Sequence, residues 1–438
     1  MFDVQKFSFV NKKTKAKTYL KIEDKKVENY ELNIYNNKKI IELEVFVSKA
    51  ITNKKVLELG EKLAKEITGT VKFTNNSSID IELLLESIIL TNTDPNVLKT
   101  TYKKPVSLKV VEDTKLKTSY KRAYNNAYSY NVTRILNHLP HSVCNPDFMV
   151  KEIKKLFKDD KKVKVSVFRT KECKTKKFVG LLSLAQGSNH QPAMVKIEYK
   201  NSSDAKIGLV GKGVTFDAGG YNIKHHPFHT MKTDMAGCNA VVGTMSRIVL
   251  NKEKVNVTAY LPITDNLINE KATCPGDVIT YPNKTSVEII NTDAEGRLIL
   301  ADGLIFASKD KCEQIIDIAT LTGAMVAAMG TEYAGYFTNS QKISTKFTKL
   351  NKSSSERVWE FPLVEEYNQY IKGDISDIAN LSSNKYAGHI TAALFLQNFV
   401  DCKNWAHIDM AAMSRELENG SPCNGYGVRL LTNYITSK

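Results

Sequence analysis

A chain of 438 residues exceeds what one ordinary hydrophobic core holds, so two domains are expected, the larger able to enclose a sizeable site. Its 42% hydrophobic content is that of a globular protein, and the lack of any run of 18 or more apolar residues argues against a membrane partner. The net charge of +15 suggests nucleic acid at first, but 20 Lys and Arg against 7 Asp and Glu fall within residues 101–180, leaving only +2 for the remaining 358.

In chain order, the N-terminal segment mixes Lys with Asp3, Glu23, Asp24 and Glu28 rather than building an apolar export signal. The scattered cysteines form no C-x-x-C pair, which fits reduced thiols and a cytoplasmic location. Up to about residue 115, strand-like and helical segments alternate, among them a strand from Ile40 to Val47 and an amphipathic helix from Val56 to Ile67. No catalytic constellation appears there. Thr118 to Leu139 reads as a linker helix ended by Pro140. Lys151 to Lys177 reads as a solvated lysine-rich face and as the one candidate for a disordered, low-complexity stretch.

Beyond it come a strand at Ile207 to Val210, a helix at Met235 to Leu250, a strand at Val255 to Leu261, a helix at Gly296 to Ser308 and a strand at Gln314 to Ala319. A hairpin is expected at Val278 to Tyr281 and Ser286 to Ile290. The alternation predicts an α/β fold whose central sheet is largely parallel, with helices on its faces and ligands bound beyond the carboxyl ends of the strands.

Two stretches carry chemistry. Val210 to Asp234 tempts a phosphate-loop reading, but Lys212 is followed by Gly213 and a β-branched, aromatic run rather than by Ser or Thr and a helix. What it offers instead is Asp217 beside Ala218, Gly219 and Gly220, where the backbone can turn sharply and approach an ion closely. Asn291 to Leu298 (NTDAEGRL) spaces Asp293, Glu295 and Arg297 two apart after a strand; in an extended segment they would share one face. Two carboxylates in a cleft need a cation or a shared proton, and oxygen ligands favour a divalent cation. Taken alone, D-x-E-x-R fits a surface ion-pair cluster as well.

Together these stretches resemble the leucine aminopeptidases, the cytosolic two-metal exopeptidases marked by that octapeptide. The segments Lys212 to Gly220 (KGVTFDAGG), Met231 to Met235 (MKTDM), Pro275 to Thr280 (PGDVIT), Thr320 to Ala324 (TLTGA), Ile390 to Phe395 (ITAALF) and Trp405 to Ala411 (WAHIDMA) follow the family's order, over roughly residues 120–438. The resemblance implies a smaller N-terminal α/β domain over 1–118, macro-like, and a larger catalytic α/β domain over 119–438 with a central mixed sheet. It implies two divalent ions (Zn, Mn or Co), one held by Lys212, Asp217, Asp234 and Glu295, the other by Asp217, Asp293 and Glu295. Such a pair activates a water and polarises the scissile carbonyl; to serve as a ligand, Lys212 would need a lowered pKa. Lys224 would stabilise the oxyanion, and Arg297 would hold a bicarbonate. Met231, Asn291, Leu321 and Gly323 match substrate-binding positions, and peptides with an apolar first residue are the implied substrates of a homohexamer.

The chain departs from the family between Lys224 and Asp234, where nine residues replace the usual ten and include His225, His226 and His229. Ala218, Ala236 and His389 also differ, without replacing a ligand. A sequence-tolerant DNA-binding or scaffolding role through residues 101–180 is the alternative, not favoured because lysine offers no bidentate base readout.

Overall fold

The computed structural model describes residues 1–37, 39–111, 113–225, 228–414 and 423–437. The chain divides into two compact units, Met1–Val132 with Ser353–Ser355, and Thr133–Lys352 with Glu356–Lys438.

The first unit contains β1 (Phe7–Val10), β2 (Thr18–Asp24), β3 (Tyr30–Asn36), β4 (Ile41–Val47), α1 (Asn53–Glu66), β5 (Thr70–Asn76), α2 (Ile81–Thr91), β6 (Leu108–Val111) and the start of α3 (Thr114–His138). Its six strands run in the order β1-β6-β5-β2-β4-β3, all parallel except β3. β2 buries Thr18, Leu20 and Ile22 and turns Lys21 outward, the period of two of a half-buried strand. Helix α1 buries Val56, Leu59, Gly60, Leu63 and Ala64, one stripe at helical spacing. Asp80 caps α2 by accepting from the Leu83 amide at 3.0 Å.

The second unit continues with α4 (Pro146–Phe157), β7 (Val163–Phe168), α5 (Thr170–Lys176), α6 (Val179–Leu184), β8 (Ala193–Lys200), β9 (Ile207–Gly211), β10 (Gly213–Asp217), α7 (Ala236–Leu250), β11 (Asn256–Asn266), β12 (Asp277–Thr280) and β13 (Ser286–Ile289). Then follow α8 (Gly296–Lys309), β14 (Gln314–Ala319), α9 (Gly323–Met329), β15 (Ala334–Thr338), α10 (Gln341–Asn351), β16 (Val358–Glu360), β17 (Ile378–Ala379), α11 (Gly388–Gln397), β18 (Trp405–Asp409) and α12 (Val428–Thr436). The main sheet runs β16-β15-β18-β14-β9-β11-β8-β7, with β10 pairing the far end of β11. Its centre, β18-β14-β9-β11, is parallel, whereas β8, β7 and the β15–β18 pairing are antiparallel.

Helices cover both faces of this sheet. Gly303 of α8 lies against Val210, while Gly237 and Cys238 of α7 lie against Gly211 and β14; successive residues of one strand point to opposite faces. β11 is buried at every residue after its first, as a central strand covered on both sides should be. The expected hairpin is the antiparallel pair β12–β13. Among the described residues, no helix is long and apolar enough to cross a membrane.

The lysine-rich stretch is folded, which corrects the expectation of low-complexity disorder. Lys151 to Lys177 forms α4, the edge strand β7 and α5. Met149, Val150, Ile153 and Phe157 bury one face of α4 while Lys151, Lys154 and Lys155 point to solvent. Asn145 caps this helix by accepting from the Phe148 amide at 3.0 Å.

Candidate metal centre

The expected ligands gather where the parallel strands end. β9 and β10 form one strand interrupted at Lys212: Val210 pairs with Tyr260 and Gly213 with Ile263, but the residues between leave the ladder. The interruption lies opposite Pro262, which has no N–H to donate. The Lys212 amide donates to Ile318 O of β14 at 3.2 Å, and its carbonyl accepts from the Cys238 amide at 2.8 Å. Its side chain then passes over the start of α8, where a Cβ at Gly296 would stand 2.5 Å from Lys212 Cε. Asp217 ends β10, and the chain turns back through Gly219 and Gly220, both at positive φ (90° and 61°). Asp234 follows a short 3-10 turn at Phe228–Thr233.

These groups, with Asp293 and Glu295, line a cavity of ≈ 790 Å³. Lys212 Nζ lies 2.7 Å from Asp234 Oδ1 and 2.8 Å from Glu295 Oε1, and donates to Thr320 O at 2.9 Å. Lys224 Nζ lies 2.6 Å from Asp217 Oδ2 and 2.5 Å from Asp293 Oδ1. Ligand atoms of Asp217, Asp293 and Glu295 fall within 4.8 Å of one another. Four carboxylates thus face two ammonium groups in a largely buried site.

That imbalance shows in the titration of the site. Burial, and then Glu295, push Asp217 up to about 7 against the pull of both lysines. Burial raises Asp234 and Asp293 as well, whereas Glu295 is held below its ordinary value because Lys212 and Lys224 outweigh its burial. Burial works to lower Lys212, but Asp234, Glu295 and Asp217 outweigh it and raise the amine. The protein's own groups therefore do not produce the lowered Lys212 pKa expected from sequence; bound cations would have to supply that. Asp234 Oδ2 is buried without a hydrogen-bond partner. Excess carboxylate charge and an unpartnered oxygen fit a site for divalent cations.

The spacing argument for Asp293, Glu295 and Arg297 is corrected by the structure. β13 ends at Ile289, and residues 291–294 form a turn in which the Ala294 amide donates to Asn291 O at 3.2 Å. Glu295 is the N-cap of α8 and Arg297 lies in its first turn, so no extended segment aligns the three. Asp293 and Glu295 still reach the cavity, but Arg297 is not among its lining residues. The Arg297 guanidinium is buried over the Phe395 ring, its Nε and Nη1 lack hydrogen-bond partners, and burial lowers it to about 10. A buried guanidinium with two open donor nitrogens suits a small anion.

Met231, Asn291, Leu321 and Gly323 all line the cavity. His225 lines it too but is exposed, as is His229; neither belongs to a ligand cluster among the described residues, and His226 lies outside them. Sequence reasoning missed the groups that steady the ligands. Asn266 donates to Asp217 Oδ1 at 2.8 Å and to Thr292 O at 3.0 Å, and Thr320 Oγ1 donates to Asp234 Oδ1 at 2.9 Å. Asp409 accepts from the amides of Leu321 and Thr322 and from Thr322 Oγ1, fixing the loop after β14. Asn380, wholly buried, bonds the loop that carries Asp293. Asn266, next to Asp265 at a strand end, and Asp409, within WAHIDMA, could have been flagged; nothing local marks Asn380.

Residues 131–432 match the catalytic domain of the cytosol aminopeptidase family. The chain is 39% identical over 312 residues to probable cytosol aminopeptidase 1 of Shewanella oneidensis, covering 70% of this chain and 62% of that protein. It is 42% identical over 316 residues to the probable cytosol aminopeptidase of Phytoplasma mali, again 70% and 62%, and 39% over 347 residues to that of Bdellovibrio bacteriovorus, 77% and 69%. The chain thus spans 62% of the length of the first two relatives. The chain belongs to the cytosol aminopeptidase family.

Proposed function

We propose that this chain is a metal-dependent aminopeptidase that removes the first residue of peptides, with leucine or another apolar side chain preferred. The observation that carries the reading is the meeting of Asp217, Asp234, Asp293 and Glu295 with only Lys212 and Lys224 to balance them at one cavity. Lys212, Asp217, Asp234 and Glu295 would hold one divalent ion, and Asp217, Asp293 and Glu295 a second. When bound, such ions supply Lewis acidity toward the scissile carbonyl and lower the pKa of a water.

The chain's own residues do the rest. Lys224, charged and reaching the same carboxylates, stands ready to stabilise the oxyanion that develops as the carbonyl is attacked. Asp217 is kept in place by Asn266 and by the Gly219 amide, which donates to its Oδ1 at 2.9 Å. Leu321 and Gly323 border the peptide on a loop pinned by Asp409, and Arg297 would hold an anion such as bicarbonate. Met231 and Val326 give the cavity an apolar wall, which supports an apolar first residue. Family membership supports a homohexamer, testable by light scattering.

Purified protein supplied with Mn²⁺, Co²⁺ or Zn²⁺ should hydrolyse a leucine chromogenic amide and spare its N-blocked analogue. Chelation or Asp293→Ala should abolish the activity. Inactivity across a wide peptide panel with each metal would refute the proposal.

A further inference from the structure

A second group of ligand-type side chains stands apart from the cavity. His141 lies in the turn between α3 and α4, His190 just before β8, and Asp265 next to the last residue of β11. One ligand atom from each falls within 4.8 Å of the others, and none of the three lines the carboxylate–lysine cavity. Asp265 follows the ordinary alternation of β11, so its side chain leaves the strand on the side opposite Asn266, which holds Asp217.

Three details separate this cluster from a simple buried ion pair. Asp265 has no solvent exposure, yet neither carboxylate oxygen makes a well-formed hydrogen bond, although Ser188 and His141 stand beside it. His141 Nδ1 is likewise buried and unpartnered. His141 Nε2 stands 3.5 Å from Asp265 Oδ2, too far for a strong hydrogen bond. Two atoms bound to one zinc ion at its usual bond lengths and tetrahedral angle are roughly 3.4 Å apart. His190 Nδ1 lies 3.5 Å from Asp147 Oδ2, and the other oxygen of that carboxylate, Oδ1, lies 2.8 Å from Arg169 Nη2, so a carboxylate stands beside this ring as beside many ligating imidazoles.

We propose that His141, His190 and Asp265 form a separate site for one zinc-like divalent cation. Two imidazoles and a carboxylate suit a borderline first-row ion better than the oxygen-rich centre does, and three protein ligands leave a fourth position for water. The ion would tie the α3–α4 turn and the approach to β8 to the end of β11, beside the strand residue that orients Asp217.

The test compares the full chain with His141→Asn/His190→Asn after equilibrium dialysis against micromolar Zn²⁺, counting zinc per chain by mass spectrometry. Wild type should hold one equivalent more than the double variant, whatever the cavity binds, and the variant should keep its peptidase activity in excess metal. Equal equivalents in a folded variant would overturn the site. Because the variant could fail to fold, the unaltered protein is also treated with diethyl pyrocarbonate with and without Zn²⁺. Zinc should slow modification of His141 and His190 at least tenfold while leaving exposed His229 unchanged. Unchanged rates at both histidines would also overturn it.

Discussion

Replacing Asn380 with alanine tests whether one distant side chain holds the loop that carries Asp293 in shape. Its Oδ1 accepts from the amides of Ile290 at 3.0 Å and Asn291 at 3.3 Å, and its Nδ2 donates to Asn291 O at 2.6 Å and Ala294 O at 3.2 Å. All four partners belong to the segment that delivers Asp293 and Glu295, and Asn380 itself has no solvent exposure. At ~1 kcal/mol for each net hydrogen bond, the loss is about 4 kcal/mol, less whatever a water entering the vacated space recovers. A misplacement of ~1 Å at the reacting groups costs on the order of 100-fold in rate. Asn380→Ala should therefore unfold at lower urea by about 2–4 kcal/mol and lose kcat on leucine amide far more than it raises KM. Asn380→Asp refines the test: it keeps the Oδ1 acceptor but turns an oxygen toward two carbonyls, so it should be less damaged at acid pH, where the carboxyl can donate. An alanine variant within ~1 kcal/mol of wild type and with kcat within about twofold would refute the argument.

Three further outcomes follow. Lys212→Met removes the ammonium between buried Asp234 and Glu295, and should cost about 3–5 kcal/mol in urea unfolding of chelated protein at neutral pH; a loss under ~1 kcal/mol would contradict the pairing. Burial pushes Glu356 up to about 7 from 4.5, against Arg429 and the amides of Leu430 and Gly427. Its stabilising protonated form is thus fully present below the unfolded value and lost as pH rises through the folded one, so Glu356→Gln should gain on wild type by up to roughly 3 kcal/mol between pH 5 and 8, read from urea melts. Duplex DNA should not be retarded at physiological salt; a salt-sensitive shift abolished by charge reversal at Lys161, Lys162 and Lys164 would instead favour the nucleic-acid alternative.

What the sequence revealed depended on range. The strand at residues 314–319 and the helices after Asp234 and Glu295 were legible from periodicity, and the ligand set came from motifs whose residues sit close to strand ends. Local conformation within the octapeptide was misread because Asp293, Glu295 and Arg297 alternate like strand residues, although Asn291, Asp293 and Gly296 are turn and helix-start residues. The strand at 255–261 runs on to Asn266 because Pro262 interrupts only its pairing toward β9 and β10, while the ladder to β8 continues through it. Asn380 was invisible since its partners lie about ninety residues away, and side-chain bonds to a remote backbone leave no periodic trace.

The same geometry bears on what chelation would do to the proposed metal centre. Lys212 bridges Asp234 and Glu295, and Lys224 bridges Asp217 and Asp293, so the protein's own groups give each of the four carboxylates one ammonium partner. Burial raises Asp217, to about 7, and also Asp234 and Asp293, so the remaining excess charge favours proton uptake within this carboxylate cluster. A chelated chain should therefore keep its fold and its cavity. Ions entering the cavity must compete with these internal pairs, and protons held by the carboxylates have to leave. Apparent metal affinity should accordingly rise with pH across neutrality, measured by Mn²⁺ titration at fixed ionic strength with activity as the readout. An affinity flat between pH 6 and 8, or unfolding on chelation alone, would show that the lysine–carboxylate pairs do not hold the metal-free site together.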